Sequence, residues 1–389
     1  MLPVRQAYCA ERENSVNLAL DIHMSLLVLD PDIVAAEALK QQLTDLGFDS
    51  LTASDSQDAV KLCAQGGVRL VVCGKQELVA DLSELPAGVG LVFSSRAPLE
   101  LPVVLSCLEK GVQDCWQLPL SDTELQQRVT ALTDRMERWL AQVNAELHGM
   151  RVELERDQRA GQYIQLGMLP PNPMGIGYFR LQHRVEPSLI LSGDFVDYFQ
   201  ISDRHFACYV ADVAGHGASS AFVTVLLKNF SRRLRREYRK SMLNDPGEIL
   251  AWINNELIDQ QIDKHVAMFF GMVDVQESVL CYANAAQFPP AMLVLEDQVV
   301  VLEQKGKPLG LFADAQFKTL QIDFPAGSRV VVFSDGVLDL LAGATLEEKE
   351  RQLLVTTAAC ESMESLWGAL DLSKLGQDDV SCLLISHGS

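Results

Sequence analysis

A turn between an apolar strand and a helix, at residues 209–221, places the strongest constraint on this chain. The apolar run Phe206–Val210 leads to Asp212, and glycines follow at positions 215 and 217 before a helix begins at Ala218. A carboxylate at a strand end, followed by glycines that let other backbone come close, suits a metal site. The turn alone also fits an ordinary strand–turn–helix corner with a solvated aspartate, so the interpretation depends on the rest of the chain.

Three further acidic positions occur in the same half of the sequence. They are Asp194 in Ser-Gly-Asp, Asp335 in Ser-Asp-Gly, and the Asp378–Asp379 pair after Gln377. Each directly precedes or follows an apolar strand-like run, so each puts a carboxylate at a strand end. Several oxygen ligands gathered in this way are what magnesium or manganese prefers.

These four motifs, in this order, resemble the metal-dependent PP2C-type serine/threonine phosphatases, and specifically their bacterial SpoIIE-like branch. The resemblance covers roughly residues 160–386 and includes Gln162-Tyr-Ile-Gln165, Tyr282-Ala-Asn284 and Lys307-Pro-Leu-Gly-Leu311. It implies an α+β domain in which two antiparallel β-sheets pack face to face as a sandwich, with helices outside. The short strands and grouped helices after Phe179 are typical of that class.

The resemblance also implies roles for individual residues. Two divalent ions, Mn²⁺ or Mg²⁺, acidify a water and neutralise phosphoryl charge in such enzymes. The resemblance implies that Asp212 bridges both ions and that the backbone carbonyl of Val213 binds one of them. Asp335 and Asp378 are implied to hold the first ion, and Asp194 the second. Asp379 is implied to support these ligands. His216 is placed as a general acid for the leaving oxygen. An ordinary turn histidine bonded to backbone is the alternative, and the sequence leaves both open.

The N-terminal part, residues 24–122, reads as alternating strands and helices, which predicts an α/β doubly wound parallel sheet. Its order and lengths are similar to those of a two-component receiver domain. The residues needed for receiver phosphorylation are missing, because the acceptor position is Gly74, the acidic pair reads Asp30-Pro31, and the lysine position is Leu118. We therefore expect a receiver-like domain that is not phosphorylated and serves as a docking or regulatory module.

Residues 123–173 are predicted to form a long helical linker that ends at the proline cluster Pro170–Pro173. An apolar stripe runs along it at helical spacing through Val129, Leu132, Trp139 and Leu154. Such a stripe on a charged helix fits a coiled coil, and thus a possible homodimer, or a helix that packs on its own domains. The predicted domains are an N-terminal extension (1–23), the receiver-like domain (24–122), the linker (123–173) and the phosphatase-like domain (174–389). Met24 is an alternative start of translation.

Bulk properties exclude several classes. The net charge of −20 argues against general nucleic-acid binding, because the phosphate backbone is repelled. The nine cysteines are scattered without a Cys-x-x-Cys pair, which favours a reducing cytoplasm and argues against zinc. No apolar run approaches the roughly 18 residues of a membrane span, and the charged N-terminus is unlike a signal peptide.

Two functional hypotheses follow from these observations. The first is a phosphoprotein phosphatase; relatives of this kind act on phosphoserine or phosphothreonine in small antagonist proteins that control anti-sigma factors, in partner-switching or stress-response pathways. The second is an adaptor, because the layout of receiver, long helix and phosphatase-like domain also resembles RssB-type regulators that deliver a stationary-phase sigma factor to a protease. Four metal-ligand positions are of no use to an adaptor, so the first hypothesis is preferred.

Overall fold

The computed structural model describes residues 25–388 apart from residues 83, 84, 87, 216 and 376. The predictions for the N-terminal extension, for a start at Met24 and for His216 therefore lie outside the described residues. The chain divides between Met150 and Arg151 into two compact units.

The first unit contains a parallel sheet and the helices that cover it. Its strands are β1 (Ser25–Leu29), β2 (Asp49–Ala53), β3 (Val68–Cys73), β4 (Gly90–Ser95) and β5 (Asp114–Gln117). Its helices are α1 (Ile33–Asp45), α2 (Ser56–Ala64), α3 (Gln76–Asp81), α4 (Leu101–Glu109) and α5 (Asp122–Met168), the last of which continues past Met150. The strand order is β2-β1-β3-β4-β5, with every neighbouring pair parallel. This is the flavodoxin-like order of doubly wound sheets, so the predicted α/β architecture of the first unit is confirmed.

Alternate side chains of the buried strands serve two separate cores. In β1, Leu27 and Leu29 face the core formed with α2, α3 and α4, whereas Leu26 and Val28 face the core formed with α1 and α5. Alternation of this kind follows from the two-residue period of a strand. Because both faces are covered by helices, the strand reads as an uninterrupted apolar run in the sequence.

The space beside position 74, the predicted counterpart of a phosphate acceptor, is already filled. Gly74 directly follows β3, and a Cβ atom added there would collide with the carboxylate of Asp30. The Asp30 carboxylate is itself held by the backbone N–H of Asp32 at 3.0 Å. Leu118 stands at the end of β5, where it offers no charge to an acyl phosphate.

The apolar stripe of α5 has two parts. Val129, Leu132 and Met136 are buried in the core of the first unit, where they pack with Trp116. Further along, Leu147 and Leu154 are 58% and 59% exposed. The alternative in which the helix packs on its own domain therefore accounts for the first part of the stripe only.

The second unit contains two antiparallel sheets with helices outside. Its strands are β6 (Met174–Ile176), β7 (Phe179–Glu186), β8 (Asp194–Gln200), β9 (His205–Val213), β10 (Val266–Asp274), β11 (Val279–Ala285), β12 (Met292–Val294), β13 (Val299–Val301), β14 (Leu320–Asp323), β15 (Arg329–Phe333) and β16 (Val380–His387). Its further helices are α6 (Ala218–Glu237), α7 (Pro246–Asp259), α8 (Leu346–Ala359) and α9 (Met363–Gly368), with 3-10 turns at Lys240–Asn244, Asp335–Leu340 and Leu372–Lys374. The sheet orders are β14-β11-β10-β9-β8 and β13-β12-β15-β16-β7-β6.

The two sheets of the second unit share one core. Side chains such as Phe206 and Phe269 from the five-stranded sheet pack with Phe179 and Leu383 from the six-stranded sheet. Helices α6 and α7 cover the outer face of the five-stranded sheet, and α8 and α9 cover the outer face of the other. The predicted sandwich flanked by helices is confirmed.

None of the helices among the described residues is both long enough and apolar enough to cross a bilayer.

We expect the first unit to remain unphosphorylated when the protein is incubated with acetyl phosphate and magnesium. Glycine at position 74 cannot form an acyl phosphate, and Asp30 already occupies the space beside it. Intact-mass spectrometry should show no adduct under conditions that phosphorylate a functional receiver domain run in parallel. A stoichiometric aspartyl-phosphate adduct would contradict this prediction.

The exposed part of the α5 stripe is expected to mediate self-association, because exposed leucines at helical spacing are suited to a coiled-coil seam. A Leu147→Glu, Leu154→Glu double variant should convert a dimer to a monomer in sedimentation velocity without loss of folded structure. Leu132→Glu is a useful contrast, since Leu132 is buried in the first unit and its replacement should destabilise that unit. A wild-type protein that is monomeric at tens of micromolar would contradict the prediction.

Candidate metal centre

Two of the predicted ligands come from neighbouring strands of the five-stranded sheet. Asp194 is the first residue of β8, Asp212 lies near the end of β9, and the antiparallel register places them directly opposite each other. Val196 and Val210 belong to the core between the sheets, and strand alternation gives Asp194 and Asp212 the same facing. Both carboxylates therefore point toward the space between the sheets, at one end of the sandwich.

The other predicted ligands come from the six-stranded sheet. Asp335 begins the 3-10 turn after β15, and the Asp378–Asp379 pair directly precedes β16. These two strands are antiparallel neighbours. Just after β15, the backbone N–H of Ser334 donates to the carbonyl of Ser381 in β16 at 3.0 Å. The end of β15 and the start of β16 are thus held together, so their carboxylates lie at the same end of the sheet.

Asp379 links the two groups. One of its carboxylate oxygens accepts hydrogen bonds from the backbone N–H and the hydroxyl of Ser188, at 2.6 and 2.8 Å. The other accepts from the backbone N–H of Gly193 at 2.6 Å. Gly193 immediately precedes Asp194, so the carboxylate of Asp379 fixes the backbone that carries a predicted ligand on the opposite sheet.

The buried end of the cluster contains an unpartnered carboxylate. Asp194 is 1% exposed, and neither of its carboxylate oxygens has a hydrogen-bond partner among the described residues. Burial and the Asp212 carboxylate raise the pKa of Asp194 well above its usual range. The hydroxyls of Ser334 and Ser381 offset part of that rise, although neither completes a hydrogen bond of normal geometry to it. A buried anion without donors is costly unless a cation or a proton compensates it.

The pKa values of the other carboxylates show how close the group lies. Burial, followed by the charges of Asp335, Asp378 and Asp379, raises the pKa of Asp212 to about 7. Burial and the neighbouring Asp378 also raise the pKa of Asp335. Asp335 and Asp378 are exposed, whereas Asp194 and Asp379 are buried, so the cluster extends from the interior to the surface.

The turn after β9 approaches the same place. A Cβ atom on Gly193 would lie 2.9 Å from the carbonyl oxygen of Val213 and 3.1 Å from that of Gly215, so only glycine fits at position 193. The ammonium group of Lys264 donates to the carbonyl of Ala214 at 2.9 Å. Backbone oxygens of this turn therefore face the Ser192–Asp194 segment at close range.

The donor set fits a hard divalent cation, since it consists of carboxylate and backbone oxygens, with the buried Asp194 lacking any other partner. As the side chains stand, no three His, Cys, Asp or Glu residues among those the structure describes are arranged closely enough to enclose an ion. The carboxylates face a shared space without closing on one centre. The individual ligand assignments stay predictions, as does the general-acid role of His216.

Asp197 is a carboxylate on β8 that does not join the cluster. Its facing is opposite to that of Asp194, and it is fully buried, with an ion pair of 2.9 Å to the ammonium group of Lys228 on α6. Burial raises the pKa of Asp197, and Lys228 counteracts that rise. Asp197 therefore has a cationic partner, which Asp194 lacks.

Sequence reasoning did not identify three residues that organise the site. Ser188 bonds Asp379, Lys264 bonds the turn after β9, and Gln165 bonds the backbone N–H and carbonyl of Ser192 at 3.1 and 2.7 Å. Gln165 lies in a segment that carries the family resemblance, which was a signal for its position. Ser188 and Lys264 sit in loops, and their contacts depend on the folded arrangement of distant strands.

Part of the sequence is similar to a known protein family. Residues 202–388 match the family described as Stage II sporulation protein E (SpoIIE). The phosphoserine phosphatase RsbP of Bacillus subtilis (strain 168) is 25% identical over 162 residues, which are 40% of this chain and 39% of RsbP. The phosphoserine phosphatase RsbU of the same organism is 25% identical over 189 residues, which are 46% of this chain and 53% of RsbU. The chain thus spans only 39% and 53% of the lengths of these relatives.

Among solved structures, the SiaA-PP2C domain of Pseudomonas aeruginosa superposes with a TM-score of 0.50 at 17% identity, covering 61% of this chain and 98% of that domain. This likeness concerns the fold, and it agrees with the sandwich described above. Residues 202–388 are thus similar in sequence to the SpoIIE family, and part of this chain is similar in fold to a PP2C domain.

Proposed function

We propose that this protein is a metal-dependent phosphatase of phosphoserine or phosphothreonine in proteins. The observation that carries the proposal is the gathering of five aspartates at one end of a sandwich whose sequence matches the SpoIIE family: Asp194, Asp212, Asp335, Asp378 and Asp379. Clusters of carboxylates that raise each other's pKa are found preferentially at functional sites.

The proposed cofactors are two divalent ions, Mn²⁺ or Mg²⁺. When bound, they would neutralise charge on the phosphoryl oxygens and lower the pKa of the attacking water. Asp212, which lies opposite Asp194 and feels the charges of Asp335, Asp378 and Asp379, is proposed to hold both ions together with the carbonyl of Val213. Asp194 is proposed to hold one of them, and Asp335 with Asp378 the other.

Other residues of the chain are proposed to position these ligands. Asp379 accepts from Gly193 and Ser188, which fixes the backbone beside Asp194. Lys264 restrains the turn after Asp212 through the Ala214 carbonyl. His216 is proposed as the general acid that protonates the leaving serine or threonine oxygen.

The proposed substrate class is a small phosphoprotein, an antagonist of an anti-sigma factor, because the curated relatives RsbP and RsbU are phosphoserine phosphatases. Residues 24–122 are proposed to form a receiver-like regulatory module that is not controlled by phosphorylation, and residues 123–173 a linker to the phosphatase domain 174–389. A sigma-factor adaptor is the competing proposal, and it provides no reason for an unpartnered carboxylate at Asp194.

Hydrolysis of p-nitrophenyl phosphate is expected to require Mn²⁺ or Mg²⁺ and to stop when a chelator is added. Asp212→Asn should lower turnover by orders of magnitude, because it weakens the ligand shared by both ions. Asp323→Asn, at an exposed aspartate of β14, is the matched control and should leave turnover unchanged. Near-wild-type turnover in the Asp212 variant would show that its assignment is wrong.

The metal-free protein is expected to lose stability as the pH rises. The pKa of Asp212 is raised to about 7 in the folded state, so the folded protein binds this proton more tightly than the unfolded chain does. Its contribution to the free energy of unfolding is largest below about pH 4 and is lost as the pH rises through 7.

Asparagine resembles the protonated acid, so chelator-treated Asp212→Asn should be more stable than the wild type, and its advantage should be larger at pH 8 than at pH 5 by roughly 2–3 kcal/mol. Urea unfolding at the two pH values measures the difference. Mn²⁺ should raise the stability of the wild type at pH 8 far more than that of the variant. An equal gap at both pH values would contradict the raised pKa.

A further inference from the structure

A cleft opens beside the exposed carboxylates of the candidate metal centre. It encloses about 430 Å³, and Asp335 and Asp378 form part of its wall. The remaining walls come from Phe288, from the 3-10 turn Asp335–Leu340, and from the first turn of α8. All of these segments belong to the second unit.

Part of the cleft wall is apolar and firmly placed. Phe288, Leu338 and Leu346 contribute apolar side chains. The neighbouring Gln287 is buried, and its side-chain N–H donates to the carbonyl of Phe333 at 2.8 Å. Because Phe333 lies two residues before Asp335, this bond fixes the loop that carries Phe288 relative to a predicted metal ligand.

Lys349 is the one positively charged side chain among the described residues that line the cleft. It lies in the first turn of α8, where the preceding Glu348 turns back to accept from the backbone N–H of Ala344. A Cβ atom on Gly343 would lie 3.2 Å from the Cγ atom of Lys349, so the loop before α8 packs on the lysine stem. These contacts hold the stem in place at the cleft wall.

Among the described residues, the ammonium group of Lys349 has one weak partner, Asp339. Its Nζ atom lies 3.7 Å from a carboxylate oxygen of Asp339, and the two side chains are 26% and 40% exposed. An ion pair this long and this exposed contributes little to stability. Lys349 can therefore exchange this partner for another oxyanion at small cost.

The negative charge of the cleft makes a fixed cation important for binding an anionic group there. Asp335, Asp339 and Asp378 line it together with Lys349, so its side chains carry a surplus of negative charge. An anionic group entering the cleft is repelled by these carboxylates unless cations offset them. Lys349 provides a positive charge that is part of the chain and does not depend on metal loading.

We propose that Lys349 is a substrate-binding residue that pairs with an oxyanion of the phosphoprotein, while a residue flanking the phosphorylated side chain packs against Phe288, Leu338 and Leu346. This proposal rests on the proposed phosphatase function and adds a specificity-determining residue to it. The oxyanion comes either from the phosphoryl group itself or from an acidic side chain beside it, and the two sources make different demands on the substrate.

The test compares Lys349→Gln with the wild type on three substrates. They are p-nitrophenyl phosphate, a phosphoserine peptide with glutamate and leucine next to the phosphoserine, and the same peptide with glutamine in place of glutamate. Loss of one charged contact should raise KM about tenfold on substrates that supply the oxyanion, with kcat within twofold. Lys349→Arg should restore most of the affinity, since it keeps the charge.

Lys40→Gln is the matched control. Lys40 lies on a helix of the first unit, has a similar exposure of 31% and pairs with one carboxylate, that of Glu37, at 3.0 Å. Its replacement should change neither KM nor kcat. Circular dichroism and thermal unfolding of each variant establish that the fold is unaffected.

The pattern of effects identifies the source of the oxyanion. A higher KM on all three substrates means that Lys349 contacts the phosphoryl group, whereas a higher KM on the glutamate peptide alone means that it contacts the flanking carboxylate. Both results support the proposal. A change of less than twofold on every substrate, with an active wild type, shows that Lys349 does not bind substrate.

A binding measurement separates this proposal from the proposed activity. Fluorescence anisotropy with a labelled, non-hydrolysable phosphonate analogue of the glutamate peptide, in the presence of Mn²⁺, reports affinity without turnover. Lys349→Gln should weaken it about tenfold at low salt and less at high salt, because ionic screening reduces a charged contact. If the wild type hydrolyses nothing, the phosphatase proposal fails, while equal affinity of the two proteins in this assay overturns the role of Lys349.

Discussion

The carboxylate of Asp379 connects the two sheets at the end of the sandwich where the proposed chemistry takes place. It precedes β16 of the six-stranded sheet and accepts from Gly193 and Ser188, which precede β8 of the five-stranded sheet. Three short hydrogen bonds to one charged group are stronger than neutral ones and fix both its oxygens. The distance between Asp194 and the carboxylates of the opposite sheet therefore depends on this one side chain. If Asp379 were shortened, these three hydrogen bonds between the two halves of the cluster would be lost.

Gathering the carboxylates has an electrostatic cost that hydrogen bonds in the described part of the chain offset only in part. Burial and the charges of its neighbours raise the pKa of Asp212 to about 7, and burial with the Asp212 charge raises the pKa of Asp194 well above its usual range. Asp197, which is also buried, shows the contrasting solution, because Lys228 supplies a fixed countercharge. Among the described residues, no lysine pairs in this way with Asp194. Its charge is left for an exchangeable cation or a proton, which is typical of a functional site.

Much of the fold was predictable because its signals are local. The strands Ser25–Leu29 and Arg329–Phe333 and the helix Leu346–Ala359 are marked clearly in the sequence by apolar runs and helical spacing. The start of α7 at Pro246, with Asp245 as its N-cap, follows from the same kind of signal. The sequence does not predict α3 and α9, because six-residue helices are too short to show a period.

The contacts that organise the site were less predictable, because they join residues far apart in the chain. Gly193 and Asp379 are 186 positions apart, and neither position reveals the other. One part of the apolar stripe of α5 is buried and the other is exposed. Which turns of the helix pack against Trp116 decides this, and the spacing of apolar residues alone does not reveal it. The glycine at position 74 is evident from the sequence, but the occupation of the space beside it by Asp30 follows only from the folded structure. Local sequence patterns thus predict the helices, the strands and the types of residue in the site. The geometry of the site depends on contacts between residues of the two sheets.

The electrostatics of the cluster also bear on the choice between an enzyme and a protein-binding adaptor. A domain that served only as a binding surface would be more stable with amides or small side chains at positions 194 and 212, because these keep the shape and remove the repulsion. The repulsion between the carboxylates arises where the turn after β9, the glycine at position 193 and the end of β15 come together. A fold that concentrates uncompensated charge at such a place gains only when a cation binds there. The carboxylates therefore favour the metal-dependent phosphatase, and the adaptor hypothesis would have to account for each of them separately.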